Sequence, residues 1–292
     1  MPIPESQLET WTHQGSVAAS ARTYTAVKNA IDLWPALARR TIDVFLQGSY
    51  RNSTNIYGES DVDVVVQCPE TFFFDAARLA TADEAAIVAL PPARYEWDEF
   101  RADVHNALTH HFGAQNIENG NKCIRVWGTS ESHITADVVP AFTHRLYRTR
   151  WTFEGGIAFL TRKERRRVVN FPKQHYNNAV AKQSRTGNVF KPGVRLFKNA
   201  TARLVEMGRL DEDDAPSYFV ECALANVPDE KFFVPTWQSL YCMAFDHLGS
   251  ADWSALMCLN GLIPLLGTGP DAWAPERVRR WLAELRRLWT ES

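Results

Sequence analysis

Residues 47–67 read QGSYRNSTNIYGESDVDVVVQ. Val44, Phe45 and Leu46, just before them, read as the end of a short buried strand. A Gly-Ser step follows, then a polar turn of about a dozen residues, then Asp61 and Asp63 two apart in a run of valines. In a strand, side chains two apart share a face. Asp61 and Asp63 therefore project together, while Val62 and Val64 point the other way into the sheet. Two neighbouring like charges on a buried strand cost on the order of several kcal/mol. A divalent cation removes that cost, and Mg²⁺ is typically held by one or two carboxylates plus substrate phosphates.

The Gly-Ser step complements the carboxylates. Gly48 lets backbone come close to a ligand. Ser49 offers a hydroxyl and an N–H to a phosphate, and a helix beginning just after it adds its dipole. Gln47, Gly48 and Ser49 are thus the candidate phosphate-binding turn. A third acid, Asp137, lies in Ile134-Thr135-Ala136-Asp137-Val138-Val139-Pro140, another short apolar strand. Two-metal phosphoryl transfer clamps both the attacking and the leaving oxygen. Asp61, Asp63 and Asp137 are the candidate catalytic residues and metal ligands. A lone Gly-Ser, or a single D-x-D, says little; the ordered set is specific.

That ordered set resembles the polymerase-β-like nucleotidyltransferases, and in detail the cGAS/DncV-like branch with its bacterial CdnE-like members. The stretch Asn170-Phe171-Pro172-Lys173-Gln174-His175 resembles a second motif of the bacterial enzymes. The resemblance implies an α+β fold: a mixed-sheet nucleotidyltransferase core, a C-terminal helical-bundle lobe, and an active site in the cleft between them. Residues 1–165 are expected to form the core with a long N-terminal spine helix, and residues 166–292 the helical, oligoadenylate-synthase-like lobe. Two Mg²⁺ ions are implied as cofactors, with Mn²⁺ able to substitute.

Composition fits that picture. At 292 residues the chain is long for one domain and comfortable for two. An apolar fraction of 45% and a charged fraction of 23% are ordinary for a globular protein. The net charge of −2 gives no overall basic field, which argues against a processive polymerase. Five widely spaced cysteines without a C-x-x-C pair support neither a zinc site nor a disulfide framework. They read as buried thiols of a reducing, cytoplasmic protein. The opening MPIPESQLET has no basic or apolar leader region, so no signal peptide is expected. No apolar run reaches the roughly 18 residues of a membrane span.

Residues 5–40 read mostly as helix, with Ser6 and Glu9 as a capping box. Residues 71–92 suggest a peripheral loop and a short helix, and 96–112 a helix burying Phe100, Val104, Ala107, Leu108 and Phe112. His105, His110 and His111 lie there without the carboxylates or thiols of a metal site. Lys122–Trp127 alternates as a strand, and 132–142 is the strand of the third aspartate. No G-x-G-x-x-G or Walker motif supports a Rossmann or P-loop fold. From Arg145 the chain turns basic through Arg148, Arg150, Arg162, Lys163 and Arg165–Arg167, either a solvated face or an anion-binding rim. Beyond Pro172 the pattern is largely helical. Residues 253–266 read as an apolar helix, and the last segment as one with a Val278, Trp281, Leu282, Leu285, Leu288 stripe.

Asn177 and Asn178 fall on the helix that opens the second lobe. In the branch making pyrimidine-containing products, an asparagine near this place reads the base, and Asn178 matches it better. An amide both donates and accepts, so it can complement a uracil edge. Lys182 follows on the same helix. Lys198 sits in an apolar helix that would otherwise bury a charge, which is reasonable if it faces a triphosphate. Ser217 can donate to a phosphate from a helix N-terminus, and Tyr218 can stack on a base. The resemblance implies that a lysine and a later serine-tyrosine pair bind the donor nucleotide. With the Gly-Ser turn, the nucleotide-binding candidates are Gln47, Gly48, Ser49, Asn178, Lys182, Lys198, Ser217 and Tyr218.

The implied reaction is attack of a ribose hydroxyl on an α-phosphate with loss of pyrophosphate, Asp137 being the nearest proton acceptor. By resemblance, a second round closes a cyclic dinucleotide or trinucleotide from ATP and UTP, cyclic UMP-AMP or cyclic di-UMP being the sharpest expectation. The product would activate a downstream effector in bacterial anti-phage signalling. No membrane or DNA activator is expected, and a monomer is. The alternative is a linear nucleotidyltransferase acting on RNA, a small molecule or a protein.

Overall fold

A computed structural model describes residues 2–15, 17–58, 61–128, 134–269 and 272–291. Helices are α1 (Glu5–Trp11), α2 (Ala18–Asp32), α3 (Pro35–Ala38), α4 (Gly48–Asn52), α5 (Thr81–Val88), α6 (Trp97–Phe112), α7 (Pro172–Arg185), α8 (Phe190–Glu206), α9 (Ser217–Ala225), α10 (Trp237–Ser250) and α11 (Pro275–Glu291). Strands are β1 (Asp43–Leu46), β2 (Val62–Asp75), β3 (Ile117–Asn119), β4 (Ile124–Val126), β5 (Ala136–Thr149), β6 (Thr152–Leu160) and β7 (Arg167–Asn170). The chain divides into two compact units. The sheet unit comprises Val17–Tyr50 and Ser60–Pro172; the helical unit comprises Met1–Ser16, Arg51–Glu59 and Lys173–Ser292.

This partition differs from the expected single cut at 165/166. Residues 1–16 and 51–59 go with the helical unit, whose last segment starts at Lys173. The expected spine is broken into α1, α2 and α3. Ser6 and Glu9 form no capping box, because Pro4 occupies the N-cap of α1 and no side chain caps it. The first turn of α10 is capped instead from α1: the Glu5 carboxylate accepts the N–H groups of Trp237 and Gln238 at 2.6 and 2.9 Å. An anion at a helix N-terminus satisfies orphan donors and complements the dipole.

The sheet is mixed, ordered β1-β2-β5-β4-β3, with β6 pairing β5 and β7 pairing β6. Among the described strands β2 and β5 run parallel and the other pairs are antiparallel. The valine alternation works as read. Val62, Val64 and Val66 enter one core with Val27, Ile31, Phe100, Val104 and Leu108, while Val65 belongs to another with Ala141 and Ile157. Phe72–Phe74, read as loop, continue β2 past an irregularity after Cys68 and pair with Thr143–Arg145. Strands β3, β6 and β7 were not anticipated; of the basic stretch, Arg145, Arg148 and Arg150 lie in the β5–β6 hairpin, and Arg162, Lys163 and Arg165–Arg167 lie between β6 and β7 or at the start of β7. Residues 132 and 133, read as the start of the third-aspartate strand, lie outside the described residues.

The helical unit has a core of Phe190, Val194, Phe197, Phe219, Phe232, Leu240, Tyr241 and the α11 stripe Val278, Trp281, Leu282, Leu285 and Leu288. That stripe is the period of a helix buried along one face. Residues 253–266 are not a helix. The Asn260-Gly261 step turns the chain, with Gly261 at φ +70°. The Asn260 side chain accepts the N–H groups of Leu262 and Ile263, and Met257 and Pro264 bridge antiparallel. Turn chemistry overrides apolar spacing here, because an Asn-Gly pair takes positive φ cheaply and Pro264 lacks a helical donor.

Candidate active site

The carboxylates are placed by strand register. Asp63 on β2 and Asp137 on β5 are direct partners across the parallel pair, and Asp61 directly precedes β2. Gln47 N–H donates to the Asp63 carbonyl at 3.0 Å, extending the β1–β2 ladder to the Gly-Ser step. Gly48 then begins α4 at φ +66°, and a β-carbon there would collide with the Asp63 carboxylate. Glycine is required twice over, for the backbone conformation and for the close approach. Ser49 is half-buried in the same short helix.

Two neighbours of the acids were not singled out from sequence. Arg125 on β4 stands opposite Asp137. Its Nε and Nη2 donate to the two Asp137 oxygens at 2.8 and 3.0 Å, and Nη2 lies 3.5 Å from Asp61. These bonds hold the guanidinium pKa above its ordinary value. The available signal was its place between Ile124 and Val126, both fully buried, which puts the one charge of that strand on the opposite face. Cys123 is the second neighbour: burial, then the Asp137 charge beside it, pushes its thiol up to about 12. At that value the thiol is protonated at neutral pH.

The donor set is oxygen only, which suits a hard divalent cation rather than zinc. Among the described residues, no three Asp, Glu, His or Cys side chains converge on one point. A cation here would complete its shell with phosphate oxygens and water, as Mg²⁺ ordinarily does. At Asp137 it would replace Arg125 as the positive partner. Asp61, Asp63 and Asp137 are oxygen donors of the kind such a cation takes.

In the helical unit the candidates separate. Asn178, exposed on α7, donates its amide N–H to the Leu259 carbonyl at 2.8 Å. Because that partner is an acceptor, the amide orientation is fixed and Oδ1 is its remaining acceptor. Ser217 is the first residue of α9, following Pro216 at the N-cap. Tyr218 stacks on His175 at 5.1 Å and on Trp273 at 5.8 Å between centroids. The residue is 37% exposed, while its hydroxyl end lies among Cys222, Cys258 and Asn260, and that burial raises its pKa. The ring expected to stack on a base thus already has two ring partners.

Two lysines are enclosed instead. Lys182 is 4% exposed and donates to the Val227 carbonyl at 2.7 Å and to Asp229 at 2.8 Å. These bonds tie α7 to the segment after α9. Lys198 is 3% exposed and donates to the Thr54 carbonyl at 2.8 Å, so it braces the segment between α4 and β2. Sequence reasoning also passed over a buried polar group: His175 Nε2 lies 3.2 Å from Glu221, whose other oxygen accepts from the Thr54 hydroxyl.

Residues 177–290 match the family of the cGAS/DncV-like nucleotidyltransferase C-terminal helical domain. Over 296 aligned residues, 99% of each chain, the sequence is 40% identical to the cyclic UMP-AMP synthase of Rhodothermus marinus. The chain belongs to the cGAS/DncV-like nucleotidyltransferases. It falls in their CdnE branch, and is 33% identical over its whole length to the cyclic nucleotide synthase CdnE01 of Staphylococcus haemolyticus. The fold follows the structure of the R. marinus CdnE c-UMP-AMP synthase with Apcpp and Upnpp at a TM-score of 0.89, covering 99% of this chain and 97% of that one. It follows the Elizabethkingia meningoseptica CdnE cyclic dinucleotide synthase with GTP and Apcpp at 0.77 and 28% identity, covering 99% and 98%. This CdnE-branch nucleotidyltransferase therefore has the expected α+β core and C-terminal helical domain. Among its described residues no helix is long and apolar enough to cross a membrane.

Proposed function

We propose that this nucleotidyltransferase joins ATP and UTP into a uridine-containing cyclic dinucleotide, with cyclic UMP-AMP as the principal product and cyclic di-UMP as the variant. The observation that carries this reading is the full-length match to a cyclic UMP-AMP synthase, in a chain whose Asp63 and Asp137 stand in register. Asp61, Asp63 and Asp137 would hold Mg²⁺, or Mn²⁺ in its place, which when bound polarises the phosphate and lowers the pKa of the attacking hydroxyl.

The protein's own groups do the rest. The close backbone of Gly48 and the Ser49 hydroxyl receive phosphate oxygens. A ribose hydroxyl forms a new ester bond at the α-phosphorus as the bond to pyrophosphate breaks. The hydroxyl proton passes to Asp137 when Arg125 gives up one of its oxygens. A second such displacement within the linear intermediate closes the ring. The fixed Asn178 Oδ1 suits the N3–H donor of uracil. The role in which such a product makes sense is a cytoplasmic alarm: a cyclic dinucleotide that a separate effector binds during phage infection.

The test is incubation of the purified chain with Mg²⁺ or Mn²⁺ and labelled NTPs, singly and in pairs. Phosphatase-treated products are separated by chromatography and mass. A phosphatase-resistant product that needs UTP, forms without RNA, and disappears in the Asp61→Asn, Asp63→Asn double variant is expected. Phosphatase-sensitive ladders, or product only after RNA or another acceptor is added, would replace this reading with linear transfer.

A further inference from the structure

The segment that leads into the Asn260-Gly261 turn lies along one side of α9, held there by side chains spaced one helical turn apart. Tyr218, Cys222 and, at the C-cap of α9, Asn226 follow at intervals of four and share a face. The Asn226 amide clasps Met257 twice: Nδ2 donates to its carbonyl at 2.8 Å, and Oδ1 accepts its N–H at 3.0 Å. The Cys222 sulfur accepts the Leu259 N–H at 3.3 Å. The Tyr218 hydroxyl accepts from Asn260 Nδ2 at 3.4 Å. Residues 257–260 therefore run back along the helix, gripped at each of its turns.

There the chain reverses. Asn260 is 3% exposed, and its Oδ1 accepts the Leu262 and Ile263 N–H groups at 2.8 and 3.1 Å. The turn so held meets α7 at Asn178, whose Nδ2 donates to the Leu259 carbonyl at 2.8 Å. A β-carbon at Gly261 would stand 3.7 Å from the same nitrogen, so the tip of the turn lies against the amide.

Asn178 is an exposed side chain, and an exposed amide can turn over, exchanging its donor for its acceptor. Uracil offers a donor at N3–H, and cytosine a bare acceptor nitrogen at the same place. An amide pinned through Nδ2 leaves Oδ1 to accept from uracil, and sets oxygen against the cytosine nitrogen. An amide able to turn over serves both bases. Specificity needs the repulsive element as well as the attractive one, and here the grip of the turn supplies it.

We propose that Asn226 and Asn260 are positioning residues for base selection: they hold the 257–260 segment so that the Leu259 carbonyl pins the Asn178 amide in one orientation. This rests on the reading of Asn178 as the side chain that meets uracil.

The experiment is a competition assay on the full chain with Mg²⁺, ATP, labelled UTP and labelled CTP, the products being resolved by chromatography and mass. Asn226→Ala and Asn260→Ala are each expected to raise the CTP-to-UTP incorporation ratio about fivefold, the worth of one hydrogen bond. Asn260→Asp, which keeps an oxygen for the Leu262 and Ile263 N–H groups, holds the ratio near wild type. Asn199→Ala removes an amide that donates to the Trp11 and Arg195 carbonyls elsewhere in the same unit; it lowers stability and leaves the ratio unmoved. In an Asn178→Ser background neither alanine variant moves the ratio further, as befits residues that act through Asn178. Circular dichroism confirms that each variant is folded. If Asn178→Ser shifts the ratio while both folded alanine variants keep the wild-type value, the positioning role falls and the base reading stands. An equal shift by Asn199→Ala, or full additivity with Asn178→Ser, would overturn the positioning role in the same way. A wild-type ratio in Asn178→Ser would instead overturn the base reading beneath it.

Discussion

Arg125 grips both oxygens of Asp137 from the neighbouring antiparallel strand, and its reach extends to Asp61. One guanidinium thereby neutralises two of the three acids that a metal would use. We predict that Arg125→Met lowers stability by about 1 kcal/mol without divalent cations, a partly exposed pair being worth no more. The same change should tighten Mn²⁺ binding severalfold, because a competing positive partner is gone. Electron paramagnetic resonance of free Mn²⁺ reads the second effect directly, and unchanged or weaker Mn²⁺ binding would show that Arg125 and the cation do not compete.

Gly48→Ala combines two penalties. An alanine at φ +66° costs about 1–2 kcal/mol in backbone strain, and its methyl group would displace the Asp63 carboxylate. Product formation should fall at least tenfold, with a melting temperature several degrees lower. An alanine variant with wild-type turnover would mean that the close approach of Gly48 to Asp63 has no bearing on catalysis.

Lys182→Met tests a structural role. It leaves the Val227 carbonyl without its donor and Asp229 with Arg185 as its remaining basic partner, a loss of about 2 kcal/mol. Thermal unfolding should drop by several degrees while KM for each NTP holds. A raised KM at an unchanged melting temperature would return Lys182 to the nucleotide site.

For Asn178→Ser we expect UTP incorporation to fall about tenfold relative to ATP, since serine cannot both hold the Leu259 carbonyl and present an acceptor at the same point. Competition assays with mixed labelled NTPs give the ratio. An unaltered ratio would remove Asn178 from base selection.

His144 gives the pH dependence. It is 3% exposed, and burial together with the Arg167 charge holds its pKa down at about 4. The unfolded chain takes up a proton near the ordinary histidine value of about 6.5, so between those two values the unfolded state binds more protons. Stability is therefore full above about pH 6.5 and is lost as pH falls toward 4, by a few kcal/mol. His144→Phe should flatten that slope in urea titrations at pH 4.5 and 7.5. A wild-type slope in the variant would place the acid sensitivity elsewhere.

Much of this was legible in the chain. The Val62, Val64, Val66 alternation gave the sheet and the direction of Asp61 and Asp63, because strand periodicity is local. The α11 stripe was legible for the same reason. What was missed depends on partners far apart in sequence. Arg125 matters because β4 pairs with β5 in one register, and Lys182 is enclosed because Val227 and Asp229 come to it. The apolar run at 253–266 misled because its spacing suits a helix, while Asn260 and Gly261 reverse the chain. Apolar spacing reports burial, and turn residues settle the path.

Residues 51–59 belong to a unit whose other parts lie at the two ends of the chain. The carbonyls of Ser53 and Thr54 wait for Arg195 and Lys198, 142 and 144 residues later. At roughly 5–20 residues per second of synthesis, that is on the order of 10–30 seconds during which the nascent segment lacks its final supports. Translation therefore sets a clock on this protein: the 51–59 segment gains its bracing only after most of the polypeptide has emerged, so a ribosome stalled midway would hold the helical unit unfinished.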